Sequence, residues 1–359
     1  YPSYAVQFDS YTGPSGSSSL SRSAGMFANF NYSWDNRYLI DLTGRIDGSS
    51  NFASKQRSAP FWSAGVRWNI YNEKFMKTHG WFENLAVRAN IGTVGNQNFQ
   101  LSQIMTLYNF LKMYDGVMGA EIMSIANPEL KWQTTLNRNI GLEFSLLQGL
   151  VNLDFNYYSN ITKNNLTDIA ILPSTGFSTY KANMGKVRNQ GYEFSLSITP
   201  IKKNGWIVNA FVNGAHNKNK LLNISDALRD YNEVIKENQT AHLNYAGYTQ
   251  LERIFLFEEG QSLNSIFAVR SMGIDPGTGQ EIFVTADGVQ TFQWNAADQV
   301  VVGNTEPTLK GYFGLNVDYK RWSFGANFQY SFGADRYNKT LYEKIEGGNF
   351  AQNADRRAL

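Results

Sequence analysis

Ten stretches of this sequence alternate apolar and polar residues with a period of two, and each is longer than an ordinary strand. In residues 37–47, Tyr38, Ile40, Leu42, Gly44 and Ile46 share one parity, while Arg37, Leu39, Asp41, Thr43, Arg45 and Asp47 share the other. That period belongs to a β-strand. The same pattern runs through Met26–Trp34, Trp62–Ile70, Leu85–Ile91, Leu136–Phe144, Val151–Tyr157, Tyr192–Ile198, Trp206–Val212, Phe313–Tyr319 and Trp322–Phe332. The predicted strands run to roughly 10–14 residues, against a mean near 5–6 in soluble proteins. A strand of about 11 residues tilted near 40° rises roughly 28 Å, the height of a membrane hydrocarbon layer.

The connections alternate in length. Short ones are expected at Asp35-Asn36, Gln148-Gly149, Ile201–Gly205 and Lys320-Arg321, with a medium one over Tyr71–Trp81. Long ones cover 48–58, 94–132, 164–182, 219–306 and everything after Ala334. Short turns on one side and long loops on the other are the pattern of bacterial outer-membrane barrels, whose long loops are extracellular. Tryptophan placement fits two interfacial girdles. Trp34, Trp68, Trp206 and Trp322 fall beside the short turns, and Trp62 and Trp132 toward the other end, all on the apolar parity. Arg138, Lys186 and Arg188 share that parity, but toward the extracellular ends, where a charge costs little.

The predicted fold is therefore all-β: a transmembrane antiparallel β-barrel segment of about ten strands. Residues 1–22 and 335–359 read as extracellular loops and 23–334 as barrel strands with their connections. The first strand descends and the tenth ascends, so the chain reads as an internal piece of a larger barrel. Val208 is expected near the middle of the apolar band.

Composition excludes several alternatives. Net charge is +2, too little for a nucleic-acid surface. There are no cysteines and three scattered histidines, His79, His216 and His242, so neither disulfides nor a His-rich metal site is expected. No apolar run reaches the length of a membrane helix, and Tyr1-Pro2-Ser3-Tyr4 does not read as a secretory leader.

Several motifs invite a catalytic or ligand-binding reading and fail it. Asp47-Gly48-Ser49-Ser50 has no accompanying His-Asp pattern and reads as a turn. Gly92-Thr93-Val94-Gly95-Asn96-Gln97 lacks the Lys-Ser/Thr of a phosphate loop. Asp275-Pro276-Gly277-Thr278-Gly279 lacks the alternating acidic ligands of a calcium loop. Glu143, Asp154 and Glu193 lie on different strands with the polar parity and read as a polar lining. The remaining candidates are loop aromatics, Tyr108, Phe110, Tyr114, Phe292 and Trp294, whose rings suit sugar faces or apolar peptide side chains.

Five runs carry a family resemblance. Arg45-Ile46-Asp47-Gly48-Ser49-Ser50-Asn51-Phe52 resembles the R-x-D-G-S-S-x-F run of the SusC/RagA-like TonB-dependent transporters of Bacteroidetes. Phe61-Trp62-Ser63-Ala64-Gly65-Val66-Arg67-Trp68 is similar to that family's P-S-x-S-A-G-W-R segment, from which Ala59-Pro60-Phe61-Trp62 departs. The run from Leu85 to Gln97 resembles L-R-x-S-Y-G-x-T-G-N-Q, Asn127–Thr135 resembles N-P-x-L-K-W-E-x-T, and Gly273–Gly279 resembles G-x-D-P-x-T-G. The likeness spans about residues 25–340.

The resemblance implies a barrel of about 22 strands around an internal plug, the plug being absent from this chain. It implies an outer-membrane location, import powered through TonB, and a SusD-like lipoprotein lid. It also implies an oligosaccharide or oligopeptide cargo, and neither a cofactor nor enzymatic activity. Two other readings compete: a complete small outer-membrane barrel acting as pore, adhesin or hydrolase, and a soluble β-rich glycan-binding module. A plug domain upstream of the segment separates the first reading from both.

Overall fold

A computed structural model describes residues 7–9, 13–15, 20, 22–50, 57–76, 82–96, 106–114, 117–124, 127, 131–170, 177, 179–183, 185–237, 256–336 and 338. The expected terminal loops at 1–22 and 335–359 lie largely outside these residues, as do Asn51, Phe52, Trp81, Gln97 and Pro128-Glu129-Leu130. The chain divides into two compact units. One comprises 1–66, 90–137 and 162–185, and the other 67–89, 138–161 and 186–359.

Ten strands form one sheet: β1 Ser23–Trp34, β2 Tyr38–Ser49, β3 Ser58–Asn69, β4 Phe82–Asn96, β5 Gln133–Leu146, β6 Val151–Lys163, β7 Gly185–Lys203, β8 Trp206–Ile224, β9 Leu309–Tyr319 and β10 Trp322–Phe332. Their order in the sheet is their order in the chain. The backbone makes the short turns from residues that tolerate positive φ. Asp35 and Asn36 sit at φ 52° and 49°, and Asn204 and Gly205 at 55° and 78°. Such two-residue turns match the right-handed twist of the flanking strands. The expected connection at Ile201–Gly205 shrinks to Asn204-Gly205, because β7 continues to Lys203. The expected turn at Gln148-Gly149 widens to Leu147–Leu150.

Register confirms the parity within each unit. In the first, Met26, Ala28, Phe30, Tyr32 and Trp34 pair with Ile46, Gly44, Leu42, Ile40 and Tyr38. In the second, Val208, Ala210 and Val212 pair with Val317, Leu315 and Phe313. Those three pair in turn with Phe324, Ala326 and Phe328. In each unit the apolar residues thus gather on one face, and among the described residues no protein layer covers them. Met26 is 80% exposed, Phe30 56%, Phe324 64% and Trp322 80%. A soluble sandwich would bury that face against a second sheet. Trp34 stacks on Tyr38 at 5.8 Å and Trp206 on Tyr319 at 4.2 Å, both beside short turns, as an interfacial girdle requires.

Three expectations change. Trp132 is not a girdle residue: it is 5% exposed and packs on Phe61 at 5.8 Å. It precedes the first residue of β5, so the strand's alternation does not govern it. Val208 stands two residues above Trp206, in the lower part of the apolar band; the middle falls nearer Val212. Strands β7 and β8 run to 19 residues each, longer than expected. At ~3.3 Å per residue and a tilt near 40° they rise roughly 48 Å, well beyond the hydrocarbon layer. Lipid no longer sets the pattern there, so alternation fades, as in Lys186-Val187-Arg188-Asn189-Gln190, where Val187 is buried against protein.

The described residues of the long connection 219–306, expected as a loop, are folded: 219–224 extend β8, and 225–237 and 256–306 form a module. Ser225 precedes helix α1, Asp226–Glu237, and its carbonyl accepts from the amides of Leu228 and Arg229. Leu221, Ile224, Leu228, Leu256 and Ala296 are buried and supply a small core. A three-stranded sheet of Arg270–Ile274, Glu281–Val284 and Gln290–Thr291 completes the module, with a pair formed by Ser265–Ala268 and Val300–Asn304.

Candidate functional site

On the polar parity, near the short-turn end, four charged residues from four strands meet. Arg67 on β3 forks onto Glu143 on β5, Nη1 to Oε1 at 2.9 Å and Nη2 to Oε2 at 2.6 Å. Arg88 on β4 donates to the same carboxylate at 2.5 Å, and reaches Asp154 at 3.3 Å and Asn156 at 2.7 Å on β6. The planar guanidinium matches a carboxylate in two parallel bonds, so Glu143 is held by geometry as well as charge. Gly141 makes room for the network. A Cβ there would stand 2.5 Å from Arg88 Nε and 2.7 Å from the Asn156 amide oxygen. Two cations meet two anions, half-exposed, with no nucleophile among them. The cluster suits a hydrated, charge-balanced lining.

A second polar cluster lies at the other end of the same parity. Tyr158 Oη donates to Asn217 Oδ1 at 3.1 Å, and Asn217 Nδ2 donates to Glu306 Oε1 at 2.5 Å. Asn264 Nδ2 donates to Glu306 Oε2 at 3.4 Å, and the amide of Leu263 donates to Asn219 Oδ1 at 2.9 Å. These bonds pin the folded module to the long ends of β6 and β8. Within the module the amide of Ile224 and then Arg229 hold the Glu259 carboxyl below its ordinary range. The Thr278 hydroxyl and the Gly277 amide do the same for Asp275.

The loop aromatics fall into two groups. Tyr108, Phe110 and Tyr114 share the strand Leu107–Tyr114, paired with Val117–Ser124. Tyr108 is exposed; the side chains of Phe110 and Tyr114 lie outside the described residues. Phe292 and Trp294 share a loop of the other unit, after the strand Gln290–Thr291; Phe292 is exposed and Trp294 half-buried. Sequence reasoning placed Arg67, Arg88, Glu143 and Asp154 on one parity but missed their joining, because alternation gives a face and not a register. It missed Glu306 altogether; the Asn-rich ends of β7 and β8 were the available signal. Among the described residues no group of three or more His, Cys, Asp or Glu side chains could hold a metal ion.

Residues 1–355 match the family model described as TonB dependent receptor-like, beta-barrel. TonB-dependent receptor P3 of Formosa agariphila is 28% identical over 342 residues, covering 90% of this chain and 33% of the relative. TonB-dependent receptor SusC of Bacteroides thetaiotaomicron is 31% identical over 202 residues, 54% of this chain and 20% of that protein. The RagAB peptide importer in its closed-closed state superposes with a TM-score of 0.80 at 27% identity, covering 96% of this chain and 37% of that one. The chain thus spans about a third of the length of the P3 relative and of the RagAB chain. Its ten-stranded sheet with a bare apolar face fits part of such a barrel, and we conclude that this chain belongs to the SusC/RagA-like TonB-dependent receptors and forms part of an outer-membrane β-barrel.

Proposed function

We propose that the protein containing this chain imports oligosaccharides or oligopeptides across the outer membrane, driven through TonB and aided by a SusD-like surface lipoprotein. On this reading the chain supplies ten strands of a barrel of about 22. Its charged parity faces the aqueous lumen, and its extracellular connections receive cargo and lid. It catalyses no reaction and needs no cofactor. The observation that carries the reading is the pairing of an uncovered apolar face with an ion-paired polar one, in a chain that aligns along nearly all its length with a peptide importer. Tyr108, Phe110, Tyr114, Phe292 and Trp294 are the proposed cargo or lid contacts, since rings offer broad contact at low entropic cost.

The test is uptake by the source bacterium with and without the intact gene, using labelled oligosaccharide and oligopeptide pools. The reading predicts loss of one pool's uptake and co-purification of a surface lipoprotein with the full-length protein. Undiminished uptake of both pools would overturn it.

A further inference from the structure

Strands β7 and β8 carry four cations on the parity that faces lipid lower down: Lys186 and Arg188 on β7, Lys218 and Lys220 on β8. Side-chain contacts fix how the two strands align there. The rings of Tyr192 and His216 meet at 5.1 Å, and Asn219 Nδ2 donates to Asn189 Oδ1 at 2.8 Å. Both pairs set the same antiparallel register, which places Arg188 directly opposite Lys220. Lys186 follows Arg188 up its strand on the same face, and Lys218 precedes Lys220. Val187 and Leu221, of the other parity, are buried, and Asn189, Asn217 and Asn219 bond there to one another and to the folded connection. The cations therefore stand on the outer side. Lys218 is exposed and the other three are half-exposed. Among the described residues none of the four pairs with a carboxylate. His216 lies ten residues beyond Trp206 on β8. At ~3.3 Å per residue and a tilt near 40° that is roughly 25 Å, the top of the apolar band. Lys218 and Lys220 stand roughly 5–10 Å beyond it, in the headgroup layer. This is the end of the long connections, which faces outside the cell.

We infer that this patch binds a phosphate group of the anionic glycolipid of the outer leaflet. Like charges directly opposite on neighbouring strands repel, and an anion held between Arg188 and Lys220 offsets that repulsion. The Arg188 guanidinium is a planar fork that grips phosphate through two parallel bonds, and the lysines add point charges around it. Height selects the leaflet, because inner-leaflet headgroups lie at the other end of the strands, beside Trp206. Charge selects the lipid. A zwitterionic glycerophospholipid would bring its own ammonium into a patch of cations, whereas a phosphorylated glycolipid brings only the anion. The site is independent of which cargo the transporter carries.

The test titrates the full-length transporter, stripped of lipid in detergent, with glycolipid from its own outer membrane, and reads binding by native mass spectrometry. The expected result is a saturable adduct that is lost when the glycolipid's phosphate has first been removed with hydrofluoric acid. Replacing both Arg188→Gln and Lys220→Gln should weaken the adduct roughly tenfold or more. Replacing Lys202→Gln and Lys203→Gln removes two exposed charges from the same strand at the short-turn end and should leave it unchanged. The dephosphorylated lipid is tested on the unaltered protein, so that arm decides even where a variant folds poorly. Equal binding of the dephosphorylated glycolipid, or of a zwitterionic glycerophospholipid, would overturn the proposal. So would an undiminished adduct without Arg188 and Lys220, equal loss without Lys202 and Lys203, or displacement of the lipid by inorganic phosphate.

Discussion

Arginine placed on the two faces of one strand pair should separate lipid from lumen by free energy. Val212 lies six residues above Trp206 and pairs with Phe313, which pairs with Phe328. Six residues at ~3.3 Å and a tilt near 40° put it roughly 15 Å above the girdle, close to the middle of a ~25 Å band. Arginine at that depth on the lipid face costs about 2–4 kcal/mol. Val208 stands two residues above Trp206, roughly 5 Å by the same arithmetic, where the cost falls to about 0–1 kcal/mol. Tyr312 neighbours Phe313 on the opposite parity, pairing with Asn213 and Gln329. Tyr312→Arg leaves its charge in water and should cost about 0.5 kcal/mol or less. Urea unfolding of the full-length protein from lipid vesicles, followed by heat-modifiable gel mobility, ranks the three variants. The expected order is Val212→Arg worst, then Val208→Arg, then Tyr312→Arg. Equal losses at Val212 and Tyr312 would refute a one-sided lipid face.

Other substitutions probe individual contacts. Glu143→Gln leaves two guanidiniums without their shared carboxylate. In this half-exposed setting it should cost about 1–2 kcal/mol, and a double-mutant cycle with Arg67→Gln should show coupling. Tyr330→Phe removes the hydroxyl that donates to the Asn213 carbonyl at 2.7 Å and should cost about 0.5–1.5 kcal/mol in the same unfolding assay. Gly214→Ala should cost more than Tyr330→Phe, because its Cβ would stand 2.6 Å from the Phe194 ring and 2.8 Å from the Tyr330 hydroxyl. The carboxyls of Asp275 and Glu259 are held below their ordinary values, so the order they confer is complete above the ordinary carboxylate range and lost as pH falls through their lowered values. Trp294 fluorescence in an otherwise tryptophan-free module should therefore stay flat through neutral pH and change only on the acid side of that range; a transition near neutrality would contradict the assignment.

The sheet was legible because its determinant is local. A membrane strand has lipid on one side and water on the other, and residues such as Phe313, Leu315 and Val317 against Gly314, Asn316 and Asp318 record that boundary directly. The short turns were legible for the same reason, since Asp35-Asn36 and Asn204-Gly205 name their own backbone conformation. Legibility failed where one condition lapsed. Beyond the membrane β7 and β8 no longer face lipid and are partly covered by the folded connection, so Lys186–Gln190 carries no lipid–water alternation although the strand continues. Trp132 has the apolar parity by number, but stands outside the strand. Helix α1 carries Leu228, Tyr231, Asn232 and Ile235 at helical spacing after Ser225, but at 12 residues it is a short signal inside a long polar connection. The ion-pair network depended on register between strands, which no single strand encodes. Which loop aromatics act together depends on how separate loops meet, and nothing in their spacing fixes that.

The central claim, that these ten strands have one lipid face and one aqueous face, is tested most directly by cysteine scanning along β9 and β10 in the full-length protein. The segment contains no cysteine of its own, so once any cysteine elsewhere in the full-length protein is replaced by serine, each introduced thiol reports a single position. A water-soluble maleimide should label the Tyr312, Asn316 and Asp318 positions readily and the Phe313, Leu315 and Val317 positions poorly. A lipid-borne nitroxide quencher attached to acyl chains should show the reverse order against a fluorophore at the same sites. Labelling that varies smoothly with height and ignores parity would contradict the claim.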